Sequence, residues 1–365
     1  MDKTEVLLEK GNVQLGNQFV NMDELNIFVI ETELQYLAFV AIKNVSTSKY
    51  SIIFTTSNRV YARLCDEGID CTLISRESRG WFGRLSKIRS NLAFYKEKII
   101  ELNSEFSAIN LHFPRIDNIY NNIVINYLKH HFQETKINVR LIPDGAINIF
   151  SCSLSDSKIE KQKRWINNIG FRLTKGLEYY PYCGDELGAD ADIVDRIYCF
   201  EGIQTGYPKH KLSMINLPIS CDGNKKSGNS VLVIGQNFLQ LNTASVEYVE
   251  RVSEAIYGLI RNISSGQADY APHPRSNFNE FGRGEYGYVE NDYLCIEEKI
   301  AEGGYEHVIS CYSSALINSK IMFGDNIKTY SIGLDCFPFQ SSSQREKLIN
   351  AYKSLGIEVV EVGQQ

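Results

Sequence analysis

No apolar run in this sequence approaches the ~20 residues that cross a bilayer, which reads as a soluble or peripherally attached protein. Basic charge is not in excess: 38 Lys and Arg face 44 Asp and Glu, a net charge of −6. The broad positive footprint of a nucleic-acid binder is therefore missing. Cysteine pairs are missing too. The nine cysteines, at 65, 71, 152, 183, 199, 221, 295, 311 and 336, form no Cys-x-x-Cys, and their number is odd. The pattern argues against a zinc site and against a disulfide framework. Met1–Lys10 is charged and lacks the apolar centre of a secretory leader, so the expectation is reduced thiols in a cytoplasm. Gly-x-Gly-x-x-Gly and P-loop signatures are absent, which argues against a dinucleotide enzyme and an ordinary nucleotide hydrolase. There is no internal repeat and no low-complexity segment.

What is present is a long chain with ample apolar content. Of 365 residues, 43% are hydrophobic, enough for a substantial core, and the length favours two domains. The 21 Tyr and 18 Phe belong mostly to that core, although sugar-binding clefts also use them. Short β-branched runs alternate with helical patterns. Strands are predicted over 26–30, 50–54, 71–74, 108–112 and 139–142, with helices over 34–42, 59–67, 85–102 and 118–132. Strands spaced by helices predict a parallel sheet covered on both faces, a Rossmann-like unit. A charged helical segment over 155–175 and a Tyr/Pro/Gly-rich stretch over 177–188 mark the boundary. The domains are accordingly placed at 1–180 and 181–365. In the second half, strands are predicted over 196–200, 231–234, 268–271, 293–296, 308–312, 328–332 and 358–362. Helices are predicted over 243–260, 313–322 and 344–355. Two doubly wound halves suggest a cleft, with ligands at the carboxyl ends of strands.

Four segments could carry chemistry. Ile142-Pro143-Asp144-Gly145 puts a carboxylate directly after a strand, where it can accept a proton from a hydroxyl; taken alone, a simple Pro-Asp-Gly turn is the stronger reading. Tyr270-Ala271-Pro272-His273-Pro274 fixes an imidazole between two prolines at a strand end, and the plainer alternative is a surface loop. Of the other histidines, His130 and His131 read as helix surface, His112 and His307 as neighbours of buried strands. In Ser310-Cys311-Tyr312-Ser313-Ser314, two serines open a helix after a buried strand. They suit a helix cap, and equally a phosphate held at the positive end of the helix dipole. Val231-Leu232-Val233-Ile234-Gly235-Gln236 ends a buried strand on a glycine that lets a ligand approach the backbone. Asp190 and Asp192 have the spacing of a divalent-metal site but lie in an acidic stretch, so a solvated loop is expected instead.

Together these segments resemble bacterial sialyltransferases. The motifs are closest to glycosyltransferase family 52, the lipooligosaccharide sialyltransferases, with the bacterial polysialyltransferases more distant. Asp144-Gly145 is similar to the end of that family's acidic-acidic-Gly motif, His273-Pro274 to its His-Pro motif, and Ser313-Ser314 to its paired serines. The segment Glu31-Thr32-Glu33-Leu34-Gln35 is similar to its Thr-Pro-Leu-Gln opening. Pro143 replaces the first acidic position, and Glu33 stands where the opening has proline.

The resemblance implies a GT-B fold of two Rossmann-like domains facing a cleft, acceptor on the N-terminal one and CMP-sugar on the C-terminal one. It implies an inverting, metal-independent transfer from CMP-sialic acid to a glycan hydroxyl, in bacterial surface polysaccharide or lipooligosaccharide synthesis. Asp144 would be the base and His273 the acid or phosphate stabiliser. Ser313 and Ser314 would hold the phosphate, Glu297 the ribose, and Gly235, Gln236 and Pro274 the cytidine. Thr32 and Gln35 would lie on the acceptor side. The partners are a CMP-sugar donor and an oligosaccharide or lipid-linked glycan acceptor, with no cofactor, metal or nucleic acid. The expected place is the cytoplasm, with the basic stretch 158–175 either touching the inner face of the inner membrane or simply solvated. The rival readings are transfer of another nonulosonic acid or of a hexose from UDP on the same fold, and a non-catalytic glycan-binding relative.

Overall fold

The structure is a computed structural model that describes residues 12–15, 18–21, 23–76, 80–145, 153–172, 174, 176–219, 230–264, 267–274, 276, 279–281, 286–290, 293–339 and 342–363. A two-stranded antiparallel hairpin, β1 (Asn12–Leu15) and β2 (Gln18–Asn21), comes first. The elements of the first sheet follow: β3 (Asp23–Ile30), α1 (Glu33–Val45), β4 (Tyr50–Thr55), α2 (Asn58–Asp66), β5 (Thr72–Leu73), α3 (Gly80–Glu101), β6 (Phe106–Phe113), α4 (Ile119–His131) and β7 (Lys136–Leu141). Two helices, α5 (Asp156–Ile166) and α6 (Ile169–Arg172), precede β8 (Val194–Phe200) and β9 (Leu212–Ile215). The rest comprises β10 (Val231–Ile234), α7 (Val246–Ile263), β11 (Ala268–Ala271), β12 (Tyr286–Tyr288), α8 (Ile296–Gly303), β13 (His307–Ser310), α9 (Ser314–Phe323), β14 (Lys328–Ile332), α10 (Ser342–Ser354) and β15 (Glu358–Val360).

Two sheets result. The first has the order β5-β4-β3-β6-β7-β8-β9, and the second β12-β11-β10-β13-β14-β15. In both, the chain adds two strands outward from a first strand and then returns to that strand's other side. This is the doubly wound order, and it leaves a topological switch point beside the first strand, where ligands bind such sheets. The switch points fall between β3 and β6 and between β10 and β13.

The sequences explain the layers. Leu25, Ile27, Phe28, Val29 and Ile30 are all buried, an apolar run broken only by the buried Asn26, as suits a parallel strand covered on both faces. In the second sheet, Leu232, Ile234 and Val308 pack with α9 and α10 residues such as Leu316 and Leu348. Val231, Val233 and Ile309 pack on the opposite face against Val249, Val252, Ile256 and Ile260 of α7, spaced at helical intervals. Each such side chain contributes about 1.5–3 kcal/mol by leaving water.

The chain forms two compact units. The first holds residues up to Pro143, then those to Tyr198, and Tyr207–Ser213; the second holds Asp144 and Gly145, Cys199–Gly206 and Met214 onward. The boundary expected at 180 is thus displaced. Residues 181–198 stay with the first unit because β8 pairs in parallel with β7, Arg140 against Arg196 and Leu141 against Ile197. A second correction concerns 293–296. Ile296 opens α8, with Glu297 and Glu298 in its first turn and the left-handed Gly304 as its cap, and no strand forms there. The third strand on that side is β12. Among the described residues, no helix is long and apolar enough to cross a membrane.

Candidate active site

The second unit gathers its motifs by strand order. β10 lies between β11 and β13, with Ile234 opposite Ala271 and Val233 opposite Ile309. Gly235-Gln236, Pro272-His273-Pro274 and Ser313-Ser314 therefore leave the carboxyl ends of three adjacent parallel strands. The Gly235 N–H donates to the Ala271 carbonyl at 2.8 Å, tying the first two loops together. The Ser276 N–H donates to the His273 carbonyl at 2.8 Å and closes the turn that carries the imidazole. His273 is half-buried and Pro274 exposed.

At the switch point itself, Gln236 donates from Nε2 to Ser310 Oγ at 3.0 Å, and Ser310 donates to the Ile234 carbonyl at 3.0 Å. Both side chains are buried. Ser313 caps α9 by accepting from the Ala315 N–H at 3.2 Å, and the Tyr352 hydroxyl donates to its carbonyl at 3.0 Å. A cap uses the serine oxygen as acceptor and leaves its O–H able to donate, so capping and phosphate binding are compatible. Ser314 faces Gly145: a Cβ built on that glycine would lie 3.5 Å from Ser314 Oγ. Gly145 has φ +80°, which L side chains rarely adopt, so the residue type follows from the backbone. Asp144, half-buried beside it, is brought to the serine helix.

Glu297 is buried and accepts from Asn318 Nδ2 at 2.6 Å. Asn318 stands one helical turn beyond Ser314, so the carboxylate is anchored to the same helix. Gly235 has a reason the sequence did not show. A Cβ there would collide with the Tyr270 hydroxyl, so the glycine admits a neighbouring side chain. Ser310 and Glu280 also escaped the sequence reading. The Glu280 carboxylate, buried, accepts from the Phe238 and Leu239 N–H groups at 2.8 and 2.9 Å and fixes the loop after β10. Burial raises its pKa, and the two N–H bonds counter the shift.

A profile of the family described as Alpha-2,8-polysialyltransferase (POLYST) matches residues 20–331. The chain belongs to this family. It is a glycosyltransferase of the sialyltransferase kind. The polysialyltransferases are the family that the motif comparison placed further off, and family 52 is a resemblance of motifs only. A search of curated proteins finds no match. Among solved structures, a protein described as a UDP-N-acetylglucosamine 2-epimerase from Listeria monocytogenes is 9% identical with a TM-score of 0.50, covering 93% of this chain and 84% of that one. An alpha/beta-galactoside alpha-2,3-sialyltransferase from Photobacterium phosphoreum is 11% identical with a TM-score of 0.49, over 92% and 98% of the two chains. The fold is GT-B, with two Rossmann-like units.

In the first unit of this polysialyltransferase-family chain, Thr32 and Gln35 sit at the β3 end of the switch point. Thr32 caps α1 by accepting from the Gln35 N–H at 3.4 Å, and Gln35 Oε1 accepts from the Glu31 N–H at 2.7 Å. The two bonds resemble a capping box whose glutamine reaches the residue before the cap, and both residues hold the helix start. The polar groups clustered there are others. Glu31 pairs with Arg76 at 2.6 Å, and Asn121 bonds to Glu31, to Arg76 and to the Arg115 carbonyl. Asp117 accepts from both Arg115 and Lys158. Burial pushes its pKa up, and these two cations outweigh burial and hold it below the usual carboxylate range.

His112 and His307 lie in buried strands, as expected. Burial drives the His112 pKa well down, assisted by Arg140 and Arg196, and lowers that of His307 with help from Lys328. Asp190 and Asp192 are both exposed. Among the described residues, no cluster of three His, Cys, Asp or Glu could hold a metal ion.

Proposed function

We propose that the protein transfers sialic acid from CMP-sialic acid to a glycan hydroxyl, with inversion and without a metal. The observation that carries this reading is the convergence of the β10, β11 and β13 loops at one switch point, with Asp144-Gly145 against Ser314. Asp144 takes the proton of the acceptor hydroxyl, whose oxygen bonds to the anomeric carbon of the donor sugar. The bond from that carbon to the CMP phosphate oxygen breaks, and CMP departs with the electron pair. His273 stabilises or protonates the departing phosphate. Ser313 and Ser314 donate to its oxygens at the positive end of α9. Glu297 accepts from the ribose hydroxyls, and Gly235, Gln236 and Pro274 line the base. One phosphate carries little enough charge for an imidazole and a helix N-terminus to balance it. The acceptor lies on the first unit, near Thr32 and Gln35, and the family's description points to a glycan that ends in sialic acid. The reaction takes place in the cytoplasm.

The test is CMP affinity by calorimetry, beside UDP and GDP as controls. Ser313→Ala with Ser314→Ala should weaken CMP by about 1–3 kcal/mol, the loss of two phosphate hydrogen bonds. Unchanged affinity would return both serines to helix capping. Transfer assayed in excess EDTA should proceed at the full rate. A strict requirement for Mg or Mn would sink the metal-free mechanism.

A further inference from the structure

The two most exposed large apolar side chains among the described residues are Phe82, 84% exposed, and Ile169, 72%. Both belong to one region of the first unit. Phe82 stands in the first turn of α3 and Ile169 at the start of α6, with Ile166 of α5 also exposed. The helices are joined there. The Arg84 guanidinium lies 5.9 Å from the centre of the Trp165 ring, and Arg89 donates to Thr174 Oγ1 at 2.7 Å. Phe82 and Arg89 are seven residues apart and share a face of α3.

The same region is basic in an acidic protein. Residues 80–96 and 161–172 contain no Asp or Glu, in a chain whose net charge is −6. Arg84, Arg89, Lys161, Lys163 and Arg164 are exposed across it. Asp156 and Glu160 fall in the first turns of α5, before the basic run begins, and Lys158 is engaged by Asp117.

We propose that this surface docks the protein on an anionic phospholipid membrane. Basic side chains beside protruding Phe and Ile are the composition of an interfacial anchor: the charges draw the protein to lipid phosphates, and the apolar tips enter the headgroup boundary. A soluble polyanion would be served by the charges alone and gives no role to Phe82 and Ile169. Docking would hold the enzyme where lipid-linked glycans are presented.

Co-sedimentation with vesicles tests this on the full chain. The protein should sediment with phosphatidylcholine vesicles containing about one-third phosphatidylglycerol, not with phosphatidylcholine alone, and should be released by high salt. Phe82→Ser with Ile169→Ser should weaken binding by about tenfold or more. Lys161→Glu with Arg164→Glu should weaken it further, since each charge near such a surface is worth about fivefold. All four side chains are exposed, so the variants should keep the wild-type melting temperature and transfer rate on a soluble acceptor. Absence of sedimentation with anionic vesicles overturns the proposal. So does equal binding by the Phe82/Ile169 variant, or binding only to a soluble polyanionic glycan through Lys161 and Arg164. None of these outcomes bears on the active-site reading, which lies in other residues.

Discussion

Asp144→Asn should leave CMP affinity nearly intact and slow transfer by about 100-fold or more. The choice of asparagine separates the two readings of the Pro-Asp-Gly segment. Asn is as good a turn residue as Asp, so a purely structural Asp144 would tolerate the change. Gly145 keeps its left-handed conformation and its place against Ser314 in either variant. What Asn cannot do is accept the proton of the acceptor hydroxyl. A loss of about 100-fold corresponds to about 2.7 kcal/mol of transition-state stabilisation. Initial rates at saturating donor, beside calorimetry with CMP, make the comparison. Near-normal turnover would reduce the segment to a turn.

Much of the fold was legible. Lys328–Ile332 became a strand with the expected bounds on the strength of its Thr, Tyr and Ile, with Thr329 and Ser331 buried as polar members. The apolar run Val231–Ile234 did so because a buried parallel strand is apolar throughout. Residues 293–296 misled for the same reason. Tyr-Leu-Cys-Ile is apolar and short, and such a run does not distinguish a strand from a helix start. The deciding signals were Glu297 and Glu298, which favour a first helical turn, and the Gly303-Gly304 pair at the end. β12, Tyr286-Gly287-Tyr288, was invisible because a glycine interrupts its three residues. The domain boundary was displaced because pairing of β8 on β7 is a long-range contact that composition does not reveal.

The candidate site was legible in its parts and not in its assembly. Gly235, His273 and Ser313 lie far apart in sequence, and only the strand order places β11 and β13 on either side of β10. The residues that hold these loops gave no signal. Glu280 works through backbone N–H groups of Phe238 and Leu239, and Ser310 is a strand residue whose hydroxyl meets Gln236. The buried Asn26–Asn110–Asn138 ladder of the first sheet was equally silent, since it satisfies itself across three neighbouring strands.

His273→Ala should lower turnover by about 100- to 1000-fold, the usual consequence of removing one donor aimed at developing charge. CMP affinity should change little, because the charge that needs the imidazole appears as the bond to the sugar breaks. The backbone supports this role. Pro272 and Pro274 restrict the chain on either side, and the turn is closed by the bond from the Ser276 N–H to the His273 carbonyl. None of these features depends on the side chain, so the variant should fold with an undisturbed β11. His273→Gln sharpens the test. Glutamine restores a neutral N–H donor without a transferable proton, so recovery of most of the rate would assign His273 to electrostatic stabilisation of the phosphate. A loss as deep as that of alanine would assign it to proton donation. If His273→Ala turns over normally, the charge on departing CMP is balanced elsewhere, and the α9 N-terminus with Ser313 and Ser314 becomes the first place to look.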